Sequence, residues 1–328
     1  MTTGEIRSTG VRPGRLGFGA ASIGNLYREV DDATAAAAVD RAWESGLRYF
    51  DTAPHYGLGL SERRLGAALA GRPRDELVVS TKVGRLLLPH EHPIPVDDEG
   101  FAVPGDQRRV RDYSRDGVLR SIEASLRRTG LDRIDVVYIH DPDDHWTEAI
   151  EGAVPTLVEL REQGVIGAVG AGMNQSAMLA RFLRETDVDV VMLAGRYTLL
   201  EQGGLDDVLP AALEGGRAVV AVGVFNSGLL SRDRPEADAK YNYEQAPGGL
   251  VERANALADV CERHGTTLPV AAVAFPFGHP SVMNVTVGMR SPEQVDRNVG
   301  LAACAVPAAL WDELKELGLL RLDATTPG

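Results

Sequence analysis

The fold and the candidate site both centre on one stretch, Tyr49-Phe50-Asp51-Thr52-Ala53-Pro54-His55-Tyr56-Gly57, which continues as Leu58-Gly59-Leu60-Ser61-Glu62. An apolar pair ends in a carboxylate, a short turn follows, and a tyrosine precedes a glycine-rich entry into a helix. A carboxylate and a phenol on a loop after a strand suit proton transfer. An ordinary connection is the alternative, in which Asp51 and Ser61 only cap backbone donors. A catalytic role for this stretch would also require a cation and a group that orients the substrate, both from other parts of the chain.

The pattern of a short apolar strand followed by a helix recurs on both sides of this stretch. Upstream, a strand begins at Leu16, and a helix that Asp32 is expected to cap runs to Ser45. Downstream, six further strands are predicted at residues 77–83, 135–140, 166–170, 188–193, 218–224 and 284–287. Repeating units of roughly 30 to 40 residues predict an α/β protein, a (β/α)8 TIM barrel with residues 1–328 as a single domain.

The segment 86–112 interrupts the pattern. It is rich in proline and acidic residues, and it predicts a long functional loop. His90 and His92 within it could form a metal pair, but their setting between prolines is more typical of solvated surface. Either Ser114 or Asp116 is expected to begin the next helix.

Composition limits the classes of partner. Apolar residues make up 44% of the chain, and 47 acidic residues against 34 basic ones give a net charge of -13. This balance argues against nucleic acid or an anionic membrane as the main partner. Cys261 and Cys304 fit a reducing compartment and suit neither a zinc ribbon nor a disulfide framework. The first residues lack a signal-peptide core, and the apolar run at 269–277 is too short to span a bilayer, so a cytoplasmic location is expected.

Polar side chains stand at the ends of three neighbouring predicted strands. Asp51, Lys82 and His140 end the second, third and fourth strands, and Tyr56 follows the second. The carboxyl ends of barrel strands converge on one face, where active sites lie. Taken one at a time, Lys82 could extend to solvent, and His140 could be a core histidine whose hydrogen bonds are satisfied. The presence of these side chains together at the ends of neighbouring strands favours a catalytic site.

With these residues in view, the chain resembles the aldo-keto reductase superfamily from Leu16 nearly to its C-terminus. The shared motifs are Asp-Thr-Ala-x-x-Tyr-Gly at 51–57, Ser-Thr-Lys at 80–82, Asp-x-x-x-x-His at 135–140, Met173-Asn174 and Gly288-x-x-Ser291-Pro-Glu-Gln-Val-x-x-Asn298. The resemblance implies a catalytic tetrad of Asp51, Tyr56, Lys82 and His140. Hydride would pass directly between substrate and nicotinamide without a metal.

The expected roles agree with the chemistry of the four side chains. An ammonium beside a phenol favours the phenolate, and Asp51 would keep Lys82 charged and oriented. Tyr56 could then act as the general acid or base, while His140 donates to or accepts from the same substrate oxygen.

The resemblance also implies a nicotinamide cofactor site. It places Asn174 at the carboxamide, and the remaining contacts fall at the pyrophosphate and adenosine ends: Phe225, Asn226, Ser227, Gly228 and Leu229, then Gly288, Arg290, Ser291, Gln294 and Asn298. Two features depart from the family pattern. The usual glutamine is missing from the strand at 191–195, and the usual 2′-phosphate contacts are replaced by Gly288, Met289 and Gln294. Arg290 could still reach a phosphate. The cofactor is therefore NAD or NADP, with NAD favoured.

Several stretches are similar to the D-threo-aldose 1-dehydrogenase branch, among them residues 24–27, 55–63, 170–175, 194–202 and 224–230. This similarity implies oxidation of C1 of an aldose, such as L-fucose, L-galactose or D-arabinose, to the lactone. Pyridoxal 4-dehydrogenase activity and general reduction of aldehydes or ketones are alternatives. A polar sugar or aldehyde pocket is expected, with Tyr27, His55 and Trp146 as candidate substrate contacts.

Two classes other than a dehydrogenase remain as hypotheses. One is a cofactor-sensing regulatory barrel, which an intact tetrad disfavours. The other is a metal-dependent barrel hydrolase using His90, His92 and the cluster that begins at His140. Such enzymes place a His-x-His pair at their first strand, which this chain does not.

Overall fold

A computed structural model of the protein describes residues 4–7, 9–235, 239–241 and 244–328. Its strands are, in chain order, β1 (Leu16–Gly19), β2 (Tyr49–Asp51), β3 (Val78–Val83), β4 (Arg85–Ile94), β5 (Gly105–Arg111), β6 (Ile134–His140), β7 (Ile166–Met173), β8 (Val190–Ala194), β9 (Ala218–Val222), β10 (Lys240–Tyr241), β11 (Glu244–Gln245) and β12 (Val282–Gly288). Eight of them close a parallel barrel in the order β1-β12-β9-β8-β7-β6-β3-β2. The predicted (β/α)8 barrel is confirmed.

The helices surround this barrel. They are α1 (Asp32–Glu44), α2 (Leu60–Leu69), α3 (Arg115–Thr129), α4 (Trp146–Glu148), α5 (Val154–Glu162), α6 (Ser176–Glu185), α7 (Val208–Glu214), α8 (Gly248–Arg263), α9 (Leu268–Ala274), α10 (Pro292–Ala303) and α11 (Ala308–Glu316). In the described part of the chain, no helix is both long and apolar enough to cross a membrane.

Two of the predicted helix caps are wrong, and a third is confirmed. Asp31, one residue before Asp32, caps α1 by accepting from Thr34 N at 2.8 Å. Ser61 lies inside α2, where its hydroxyl donates to Ala20 O at 2.8 Å and so connects the segments after β1 and β2. Ser114 does cap α3, because its hydroxyl accepts from Gly117 N.

The segment 86–112, predicted as a loop, is largely an antiparallel hairpin of β4 and β5. It stands outside the barrel, and as a two-stranded ribbon it tolerates prolines that a central barrel strand would not. His90 and His92 lie on β4, and His92 N donates to His90 Nδ1 at 3.1 Å. Among the residues that the structure describes, no group of three or more His, Cys, Asp or Glu side chains is arranged to hold a metal ion.

The apolar core has an outer and an inner part. The outer part packs the helices on the barrel and includes Phe18 and Phe50. The inner part fills the barrel itself, where Tyr49 and Tyr138 lie with their hydroxyl oxygens 3.0 Å apart. Ile6 joins this inner core, so the N-terminal segment covers the amino ends of the strands. At the carboxyl ends, a cavity opens beside Tyr56 and His140.

The covered end carries many paired charges. A cavity of about 970 Å³ there is lined by arginines and carboxylates. Asp187 and Asp189 accept from Arg161 at 2.6 and 2.8 Å, and Arg7 Nη1 lies 2.6 Å from Asp187. Because these charged side chains are paired with one another, we interpret their role as structural: they close the amino end of the barrel.

Candidate active site

Asp51 and Lys82 form a buried ion pair at the carboxyl ends of β2 and β3. Lys82 Nζ donates to both carboxylate oxygens of Asp51, at 2.9 and 2.8 Å, and to Thr52 O at 3.0 Å. These bonds use all three ammonium protons. Ser80, opposite Asp51 in the strand register, donates to the same carboxylate at 2.7 Å.

The charge state of Lys82 follows from these contacts. Burial by itself would lower the pKa of the ammonium, but attraction to Asp51 and Tyr56 outweighs burial, and the pKa lies above its ordinary value. Lys82 is therefore a fixed cation inside the barrel mouth.

Tyr56 lies directly beside this cation, with Lys82 Nζ 4.6 Å from the centroid of its ring. Burial raises the pKa of Tyr56 to about 12, although Lys82 acts in the opposite direction. The sequence predicted that the ammonium would favour the phenolate, and this is only half right. Lys82 lowers the pKa of Tyr56, but burial of the phenol raises it by more. In the free protein Tyr56 is protonated and ready to donate.

Gly57 explains why the motif places glycine after the tyrosine. Its φ is +60°, and a Cβ added there would lie 2.2 Å from Gly24 O. Any larger residue would be strained and would collide with the loop after β1.

His140 ends β6 and meets Tyr56 edge to face, with ring centroids 5.9 Å apart. Its pKa lies well below the ordinary value because of burial and then the charges of Arg85 and Lys82. A neutral imidazole can donate from one nitrogen and accept at the other. The structure therefore brings all four tetrad residues together with a protonated phenol and a neutral histidine.

His55 faces the same space. Its ring centroid is 5.6 Å from that of His140 and 5.2 Å from that of Phe101. Burial lowers the pKa of His55 to about 2, with Arg85 and Arg109 adding to the effect. Within the described residues, its buried Nδ1 has no hydrogen-bond partner. A buried polar nitrogen without a hydrogen bond is costly, and the polar atom that lies nearby is Glu99 Oε2, at 3.7 Å.

A cavity of about 800 Å³ opens beside these side chains. Tyr27, His55, Tyr56, His140 and Asn174 are among its lining residues. Trp146 is not among them: its ring packs 4.8 Å from that of Phe182, under the guanidinium of Arg181. Its assignment as a substrate contact is therefore withdrawn, because its aromatic surface is covered by α6.

A second cavity, of about 420 Å³, continues from the first one and shares Leu26, Tyr27 and Gly223 with it. Most of the residues assigned to the cofactor line it: Phe225, Asn226, Ser227, Gly228, Gly288, Arg290, Gln294 and Asn298. Three do not: Asn174 lines the first cavity, Leu229 is buried in the apolar core, and Ser291 caps α10 by accepting from Gln294 N at 3.4 Å.

This second cavity suits a ligand with phosphate groups. Asn226 and Ser227 have left-handed backbones, with φ of 45° and 58°, a conformation that is unfavourable for these residues and is typical of functional sites. In the part of the chain that the structure describes, Asn226 Oδ1 is buried without a partner. Arg290 and Arg297 line the cavity. Arg297 donates to Ser231 O, and neither guanidinium forms an ion pair with a carboxylate of the described residues. A guanidinium that no carboxylate neutralises, such as that of Arg290 just before the N-terminus of α10, favours an anion.

A family model for aldo/keto reductases matches residues 15–318. The chain belongs to the aldo/keto reductase family. It is therefore an oxidoreductase, and its family implies a nicotinamide cofactor, for which the two connected cavities provide space.

Individual aldo/keto reductases resemble the chain over nearly its whole length. D-threo-aldose 1-dehydrogenase of a Pseudomonas species is 48% identical over 309 residues, which cover 93% of this chain and 94% of that protein. Pyridoxal 4-dehydrogenase of Microbacterium luteolum is 39% identical, with coverage of 95% and 96%. The holo form of an aldo-keto reductase from Bacillus halodurans superimposes with a TM-score of 0.76 at 25% identity, covering 96% of this chain and 94% of that one.

Sequence reasoning missed part of this aldo/keto reductase site. Arg85, Phe101, Arg111 and Asp141 also line the cavity beside the tetrad. All except Asp141 come from the hairpin segment, whose pairing was not predicted. A signal was present for Arg85, since an arginine three residues after Lys82 must end close to the same barrel mouth.

Proposed function

We propose that this aldo/keto reductase oxidises C1 of an aldose of the L-fucose, L-galactose or D-arabinose type to the lactone, with NAD or NADP. The observation that carries the proposal is the buried Asp51–Lys82 pair beside Tyr56 and a neutral His140, at the mouth of a cavity that His55 also lines. The 48% identity with an aldose 1-dehydrogenase supports the choice of substrate.

Each side chain of the tetrad has a defined task in this reaction. Tyr56 first has to lose its own proton, and Lys82 stabilises the phenolate that this leaves; the phenolate then takes the proton of the C1 hydroxyl as a carbonyl forms and becomes a phenol again. Asp51 holds Lys82 in place. His140 contacts the same oxygen and orients it. The nicotinamide, when bound, accepts the hydride that leaves C1.

The cofactor would lie in the groove formed by the two cavities. Asn174 lines the larger cavity and would meet the nicotinamide amide, and the Asn226–Gly228 turn would hold the pyrophosphate. Arg290 and Arg297 support acceptance of NADP as well as NAD, because a 2′-phosphate provides the anion that their guanidinium groups lack.

Pyridoxal is the second candidate substrate. The 39% identity with a pyridoxal 4-dehydrogenase favours it, and the ring of Phe101 in the cavity wall could stack on a pyridine ring. General reduction of aldehydes or ketones, and cofactor sensing without turnover, are further alternatives that the same assay addresses.

The test is the absorbance of reduced nicotinamide with purified protein, NAD or NADP, and each of L-fucose, L-galactose, D-arabinose and pyridoxal. We expect turnover with at least one of the sugars. Turnover with pyridoxal alone would select the second candidate. Tight cofactor binding with no turnover of any substrate would contradict the dehydrogenase proposal and favour a sensing role.

A further inference from the structure

The side chains around His140 include a second buried ion pair that the tetrad does not use. Arg85 Nη2 donates to Asp141 Oδ2 at 2.8 Å, and the arginine side chain is only 10% exposed. The pair lies along the edge of the imidazole. Arg85 Nη1 is 3.4 Å from His140 Nδ1, and Asp141 Oδ2 is 3.5 Å from His140 Nε2.

Donors and acceptors are matched across this arrangement in only one way. A guanidinium donates and cannot accept, so the nitrogen that faces Arg85 has to be the acceptor. A neutral imidazole with Nδ1 as its acceptor carries its proton on Nε2. Asp141 Oδ2 lies 3.5 Å away on the Nε2 side and makes no hydrogen bond with the ring, so the Nε2 proton remains available to a substrate oxygen.

The hairpin holds the pair in position. Asp141 has a left-handed backbone, with φ of 41°, which is uncommon for a residue other than glycine. Its carbonyl oxygen accepts from Arg111 and from Tyr113, and its N–H donates to Gly172 O at 3.1 Å. Such a conformation persists only where several contacts enforce it, and it is typical of functional sites.

We propose that Arg85 is a positioning residue for His140: its guanidinium occupies the Nδ1 side of the ring and leaves the proton on Nε2, to be donated to the oxygen at C1 of the substrate. This inference rests on the proposed function, because it specifies the tautomer of the group that meets the reacting oxygen. Asp141 holds Arg85 in place for the same purpose.

The titratable and charged groups that face His140 come from five segments and have to be considered together. They are Lys82 on β3, Arg85 on β4, Arg111 on β5, Asp141 after β6, and His55 and Tyr56 after β2. Arg85 is the cation in hydrogen-bonding distance of the ring. Removing it takes away both the positive charge beside the imidazole and the donor at Nδ1.

The test is nitrogen-15 NMR of the histidine rings, read in wild type and in Arg85→Met. The chain has 7 histidines, so His140→Asn suffices to assign the signal. In wild type we expect neutral His140 with its proton on Nε2 across the neutral range. In Arg85→Met we expect both tautomers and a titration that moves up toward the ordinary pKa of about 6.5.

Two matched variants complete the design. Arg108→Met removes a 45% exposed arginine from the same hairpin and should leave the His140 signal unchanged. Asp141→Asn removes the carboxylate but keeps a cation near the ring, so it should keep His140 neutral. If Arg85→Met does not fold, Arg85→Met/Asp141→Asn removes both charges of the pair and is read in the same way.

Steady-state kinetics distinguish the loss of His140 positioning from a general loss of structure. On the sugar oxidised by wild type, Arg85→Met should lower kcat by about 10- to 100-fold with little change in KM, the size typical of losing a group that orients a reacting side chain. A wild-type proton on Nδ1, or an unchanged His140 signal in Arg85→Met, would overturn the inference. Because the NMR experiment needs no substrate, it can fail while the proposed function holds, and the reverse is equally possible.

Discussion

At the scale of single residues, Tyr56 is the group on which the proposed chemistry depends. Its pKa of about 12 in the free protein makes it a proton donor at neutral pH. Oxidation of an alcohol needs it to give up that proton first. Lys82, 4.6 Å from the ring centroid, is the cation that makes this loss possible inside a buried site.

Replacing Tyr56 with Phe should therefore lower kcat by about 100- to 10,000-fold, the usual contribution of a positioned acid or base. The ring and its packing remain, so the free energy of unfolding should change little. Steady-state kinetics with the sugar substrate and a denaturant titration check both statements. Near wild-type turnover in Tyr56→Phe would exclude Tyr56 as the acid or base.

Lys82 is 2% exposed and Asp51 is 5% exposed at its side chain, so each depends on the other. Lys82→Met leaves a buried carboxylate without its cation and should lower the free energy of unfolding by about 3 to 5 kcal/mol. Denaturant unfolding monitored by circular dichroism measures this loss. The double variant Asp51→Asn/Lys82→Met removes both charges and should recover most of the stability but none of the activity. A stable single variant would contradict the view of a mutually dependent pair.

At the scale of elements, the β4–β5 hairpin and the turn that joins its strands form one wall of the cavity at the carboxyl ends of the barrel strands. Arg109 carries much of the connection, since it forms a buried pair with Asp97 at 2.6 Å and donates to His55 O at 2.9 Å. The hairpin therefore fixes the backbone of His55, the residue that precedes Tyr56. Phe101, from the same segment, packs on the His55 ring.

Arg109→Met should loosen the hairpin and displace His55, lowering kcat/KM by about 10- to 100-fold through misplacement of the substrate. Amide hydrogen exchange should rise in residues 85–111 while the barrel strands stay protected. The neighbouring, exposed Arg108→Met is the control and should match wild type in both measurements. Unchanged exchange in Arg109→Met would show that other contacts suffice to hold the hairpin.

At the scale of the whole molecule, the fold buries several phenols that resist ionisation. Burial raises the pKa of Tyr56 and of Tyr197 to about 12, and it also raises the pKa of Tyr49 and Tyr138 well above the ordinary value. Tyrosine in an unfolded chain ionises near pH 10. The folded state therefore holds protons that the unfolded state has already lost.

Since the folded pKa values lie above the unfolded ones, this stabilisation is complete below about pH 10 and is lost as pH rises through about 12. We expect the free energy of unfolding to fall across that interval. Phenolate absorbance followed together with circular dichroism should show these four tyrosines ionising only as the fold is lost. Complete ionisation near pH 10 with the fold intact would contradict the burial of these phenols. The single-domain prediction stays a prediction, and the same titration bears on it through the number of unfolding steps.

The sequence alone determined the barrel and the positions of the four candidate catalytic residues, for reasons that are local. Strand–helix alternation repeats with a regular period, and Asp51, Lys82 and His140 each end a strand, so parallel topology alone brings them to one face. Motif positions likewise located most of the groove from Phe225 to Asn298.

Tertiary structure decided what depends on contacts between distant segments. Burial raises the pKa of Tyr56, whereas the sequence predicted that Lys82 would lower it. The ring of Trp146 is covered by α6. Hairpin pairing of the 86–112 segment brought Arg111 and Phe101 to the cavity, beside Arg85 and His140. Burial and long-range pairing involve residues far apart in the chain, and no spacing along one sequence encodes them.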